Sequence, residues 1–136
     1  MNYSLDRIAE LGDLFNELSI DKSKKVVDIE RSLSLYYSKL QPFIALCEDR
    51  IDVEFEYISD NNKHKTAELT LNLYDEEKQV FFVIFGEGFM SKRKLTQYGM
   101  LNITIEKDCV SKAIDTIPSV LDKLEKELEK DISLLK

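Results

Sequence analysis

Histidine occurs once, cysteine twice, and lysine plus arginine are outnumbered 26 to 19 by aspartate plus glutamate. Each scarcity removes a class of chemistry. His64 stands between Lys63 and Lys65, and no residue near it in sequence could orient its imidazole, so a histidine-based catalytic centre lacks its second member. Cys47 and Cys109 are too far apart for a metal-type spacing. Each lies beside apolar neighbours, Ala45 and Leu46 in one case and Val110 in the other, as reduced, buried thiols do. A formal net charge of -7 opposes the clustered phosphate contacts that nucleic acid requires, which makes a basic protein the better-matched partner. No apolar run approaches the length of a membrane span. The opening MNYSLDRIAELGDLF has neither the basic start nor the small-residue cleavage site of a secretory signal, so the expected location is the cytoplasm.

Two short stretches invite a catalytic reading and fail it on spacing. In GEGFMSKRKLTQYG, residues 86–99, two glycines precede Lys92, but neither GxxxxGK[ST] nor GxGxxG is matched, and the segment leads toward a strand instead of a helix N-terminus. Asp75, Glu76, Glu77 and Lys78 echo the acidic and lysine pattern of metal-dependent nucleases. They fall on a tight turn, with no second carboxylate aimed at the same point. No catalytic residue, metal or cofactor is expected, and a metal-dependent enzyme is the weakest of the alternatives.

What is present is architecture. The 136 residues, 43% hydrophobic and 33% charged with no internal repeat or low-complexity linker, read as one domain over 1–136. Apolar residues at helical spacing (Leu5, Ile8, Leu11, Phe15, Leu18) predict a first helix over about 4 to 19, with Ser4 as its cap. A second pattern through Val26, Ile29, Leu33, Tyr36, Leu40 and Phe43 predicts a helix over about 23 to 48, kinked or broken near Ser38 to Gln41 by Pro42. Strict alternation in IDVEFEY, TAELTLNLY and LNITIE predicts strands, as does the apolar KQVFFVIFG between the last two. The short links SDNNKHK and DEE require antiparallel neighbours. A closing helix over about 109 to 136, capped by Asp108 and restarting at Pro118, completes the set. The expected fold is therefore α+β, a four-stranded antiparallel meander in the order α-α-β-β-β-β-α, with the helices mainly on one face.

Such a meander sorts charge by end. Lys63, His64, Lys65, Lys92, Arg93 and Lys94 fall at one tip; Glu48, Asp49, Asp52, Asp75, Glu76, Glu77, Glu106 and Asp108 fall at the opposite base. The long connection after Gly86 places Phe89 and Met90 beside Lys92, Arg93 and Lys94, a composition suited to a contact surface.

KQVFFVIFG is apolar on both faces. An even-length turn at DEE pairs Leu73 with Val80 and Leu71 with Phe82, which directs Phe81, Val83 and Phe85 to the outer face. An odd turn would direct Val80, Phe82 and Ile84 there, but the common three-residue hairpin favours a glycine that is missing here, so the even case is expected. That stripe is accounted for by helix 1 lying across it, by a partner or self-association surface, or by a pocket floor. Taken together, these features describe a small acidic protein-binding module, not an enzyme, acting as a cognate inhibitor or immunity-type protein on another protein. A small dimeric chaperone or adaptor is the alternative. The expected contact residues are Phe81, Val83, Phe85, Asp75, Glu76, Glu77, Phe89, Lys92, Arg93 and Lys94.

Overall fold

The computed structural model describes residues 2–46, 49–74, 76–86, 93–95 and 107–136. Its elements in chain order are α1 (Asn2–Leu35), α2 (Tyr37–Leu46), β1 (Arg50–Ile58), β2 (His64–Asn72), β3 (Phe81–Gly86), β4 (Arg93–Lys94) and α3 (Lys107–Leu135). The class is α+β with an antiparallel sheet in the order β1-β2-β3-β4.

The helix boundaries differ from the expected ones for identifiable reasons. α1 runs without interruption through Asp21, Lys22 and Ser23, where a break was expected; it is about 50 Å long. Aspartate and serine lower helix propensity by tenths of a kcal/mol each, and neither a glycine nor a proline stands there to stop the chain. The break comes at Tyr36, whose N–H donates to the Leu33 carbonyl at 3.0 Å and whose own carbonyl accepts from Lys39 and Leu40. Pro42 lies six residues further on, within α2, where it deprives the Ser38 carbonyl of its N–H partner. α3 likewise passes through Pro118 without restarting. Both prolines are exposed, so the freed carbonyls lie on helix faces that water can reach.

The β1–β2 hairpin closes through Ser59, whose N–H donates to the Lys63 carbonyl at 2.8 Å and whose hydroxyl accepts from the Lys63 N–H. Asn62 sits in the left-handed region at φ 60, which asparagine tolerates. Beyond it the β2–β3 register pairs Leu71 with Phe82 and Leu69 with Ile84, the even case. Three strands make the bulk of the sheet. Beside β3, the two residues of β4 pair Lys94 with Val83 and Arg93 with Ile84; the strand expected at Leu101–Glu106 lies outside the described residues.

One core fills the inner face. Phe55, Leu69, Leu71, Phe82 and Ile84 from the sheet meet Val26 of α1, Leu40 and Phe43 of α2, and Cys109, Ala113, Ile117 and Val120 of α3. α1 therefore joins the inner layer and does not lie across the outer face. Leu95, in the stretch read as a contact loop, is 1% exposed and belongs to this core.

Candidate partner-binding face

Strand alternation and the observed register lay out the outer face in rows. Asp52, Thr70, Val83 and Lys94 form one row; Glu54, Glu68 and Phe85 form the next; Glu56 with Thr66 and Asn72 with Phe81 flank them. Asp52 is satisfied, accepting from the Thr70 hydroxyl at 2.6 Å and lying 3.5 Å from the Arg50 guanidinium. Glu54 and Glu68 are not. They are directly opposed and exposed, and among the described residues no cation pairs with either. Like charges directly opposite one another destabilise a sheet, so this face carries an unbalanced acidic strip, Glu54, Glu56 and Glu68.

The apolar stripe beside it is less open than its pattern implies. Phe81, Val83 and Phe85 do point outward, but Val83 is 0% exposed. Its neighbours on the face are Phe81 and Phe85 along the strand and Thr70 and Lys94 across it, and Val83 is closed to a partner. Phe81 and Phe85 are half-buried, and the Lys94 ammonium lies 4.4 Å from the centre of the Phe81 ring. Lys94 thus belongs to the middle of the face and not to a basic tip.

Helix side chains blunt both edges of the sheet. On the β3 edge, the Phe82 N–H donates to Glu30 Oε2 at 2.8 Å and the Val80 N–H donates to Ser34 Oγ at 3.0 Å, just short of the segment that β4 pairs. On the β1 edge, the Ile58 N–H donates to Asp108 Oδ2 at 2.7 Å and the Lys123 ammonium donates to the Asp52 carbonyl at 2.7 Å. Unpaired strand edges are templates for another strand, and these four contacts cover the ends of both. They also correct the charge map: Asp108 lies beside Ile58 at the β1–β2 hairpin end, not at the acidic base.

Glu30 lines a cleft of about 290 Å³ together with Ser34, Gln79, Val80, Phe81 and Lys94. Burial pushes its carboxyl up to about 7, against the lowering effects of the Phe82 N–H and of Lys94. The cleft gathers one carboxylate, the Lys94 ammonium and the Arg31 guanidinium. Among the described residues no group of three or more His, Cys, Asp or Glu could hold a metal ion.

Of the other expected contact residues, Glu76 and Glu77 are exposed after β2, and Arg93 contributes its backbone to β4. Asp75, Phe89 and Lys92 lie outside the described residues. Strand alternation places Glu54 and Glu68 on the polar face of their strands, but it takes the hairpin register to oppose them directly. Glu30 left no comparable trace, since a carboxylate beside Val26, Ile29 and Leu33 reads as the solvated flank of a helix. No family model matches the chain, and no match is found among the curated proteins or the solved structures.

Proposed function

We propose that the protein is a protein-binding module without catalysis of its own, which occupies a basic partner in the manner of a cognate inhibitor or immunity-type protein. The contact surface in this reading is the outer face of the sheet. The observation that carries it is the direct opposition of two exposed glutamates, Glu54 and Glu68, with no cation among the described residues paired to either. A lysine or arginine brought by a partner relieves that repulsion, so binding gains from a cost already present in the free protein. Half-buried Phe81 and Phe85 supply apolar contact beside the acidic strip.

The test pairs stability with binding. Glu54→Thr should raise the unfolding free energy by about 0.5 kcal/mol, because it removes one of two opposed like charges. Against the partner recovered from the native host, the same variant, and more so Glu54→Lys with Glu68→Lys, should slow association, with the deficit shrinking as salt rises. Association rates that ignore both the charge reversal and the salt concentration exclude the outer face.

A further inference from the structure

α1 carries one apolar pattern twice. Ile8 and Leu11 precede Val26 and Ile29 by eighteen residues each, which at about 3.6 residues per turn is five turns, so both pairs leave the helix on the same side. The second copy of the pattern is used. Val26 is 1% exposed and Ile29 packs against the core, whereas Ile8 is 64% exposed and Leu11 47%. Leu5 and Leu14, flanking them, are exposed as well.

The direction of α1 explains the difference. Glu30 holds Phe82 and Ser34 holds Val80, so the helix runs antiparallel to β3. The described part of β3 ends at Gly86, about 13 Å past Phe82, a distance α1 covers in about nine residues. The chain ahead of about residue 21 therefore passes the end of the described strand, and there Leu5, Ile8, Leu11 and Leu14 are exposed.

Charge selects the occupant. Over residues 5–17 the charged side chains are Asp6, Glu10, Asp13 and Glu17 against Arg7, and Arg7 is already engaged by Glu10 at 3.3 Å. A second copy of this helix would bring acid against acid, and an anionic lipid surface would repel it. We propose that the projecting half of α1 is a docking helix, laid with its Ile8 and Leu11 side in an apolar groove of another protein, with Leu5 and Leu14 on the two flanks of that side and the groove rimmed by lysine and arginine. Helix-in-groove recognition uses anchors three residues apart, as Ile8 and Leu11 are, and exposed apolar surface that faces one way marks interfaces. Continuity with the packed half of α1 keeps the projecting half helical before the partner arrives, which lowers the ordering cost of binding.

The experiment places a photo-crosslinking benzoylphenylalanine at position 8 of the full chain in its native host, and the crosslinked peptides are sequenced. The expected adduct joins position 8 to one other protein, at an apolar segment flanked by lysine or arginine, and Leu11→Asp abolishes it. The Leu11→Asp chain should keep the melting temperature of the parent, because that side chain is exposed and stands outside the described core cluster. An adduct with a second copy of this chain, an adduct at an acidic surface, or no adduct overturns the proposal. So does a large loss of stability in Leu11→Asp, which would show the stripe packing within its own chain. The readout does not depend on Glu54 or Glu68, so failure of the sheet-face reading leaves this test standing.

Discussion

Glu30 on α1 and Phe82 on β3, 52 residues apart in sequence, are joined by a 2.8 Å hydrogen bond from a strand N–H to a helix carboxylate. One helical turn later Ser34 does the same for Val80. The spacing makes the pair work. Four residues of helix advance about 6.0 Å and two residues of strand about 6.6 Å, so side chains at i and i+4 meet alternate N–H groups on one strand edge. The contact fixes both the height and the direction of α1 against the sheet, and through them the projection of its N-terminal half.

The first prediction concerns pH. Burial raises the Glu30 carboxyl from 4.5 to about 7 in the folded chain, which therefore holds that proton more tightly than the unfolded chain does. The stabilisation from this group is fully present below pH 4.5 and is lost as pH rises through about 7. Glu30→Gln keeps an acceptor for the Phe82 N–H and does not titrate. Its urea midpoint should fall less than that of the parent between pH 5 and 8, and parallel curves for the two chains would refute the assignment.

Ser34 has two roles: its hydroxyl donates to the Glu30 carbonyl at 2.8 Å and accepts from the Val80 N–H. Ser34→Ala removes that acceptor and should cost about 1 kcal/mol in denaturant unfolding. Because Ser34 and Glu30 hold neighbouring positions on one edge, the double variant with Glu30→Gln should be non-additive by about 0.5 kcal/mol or more.

Adjacent phenylalanines on β3 should respond in opposite ways to the same change. Phe82 is 0% exposed in the core, and Phe82→Asp buries an unpaired carboxylate at a cost of about 3 kcal/mol or more. Phe81 is half-buried beneath the Lys94 ammonium, so Phe81→Asp sets a carboxylate beside a cation and should leave the chain folded. Thermal melts of the two variants decide it, with equal destabilisation as the contrary result.

Gly12 lies within α1, and a Cβ built there meets nothing within 4 Å. Gly12→Ala should stabilise the local helix by about 0.5 to 1 kcal/mol. Since the projecting half stands apart from the core, the gain should appear as stronger far-UV helical ellipticity, with little change in the global melting temperature.

The primary structure by itself determined the α+β class, the antiparallel order of the hairpins, and the alternating inward and outward sets of β1 and β2. All of these follow from a period of two or of 3.6 that each segment carries locally, and from a turn too short for any but an antiparallel return. Tertiary structure decided the rest. Which stretch of α1 is packed is one such matter: Val26 is buried in the core while Ile8, with the same local pattern, is exposed. Whether Pro118 breaks α3 depends on its facing water, and Val83, outward by register, is 0% exposed, which no strand periodicity records. The roles of Glu30 and Asp108 were invisible for the same reason. A carboxylate's partner is a backbone N–H that lies about 50 residues away along the chain and within 3 Å in space, and no periodicity records it.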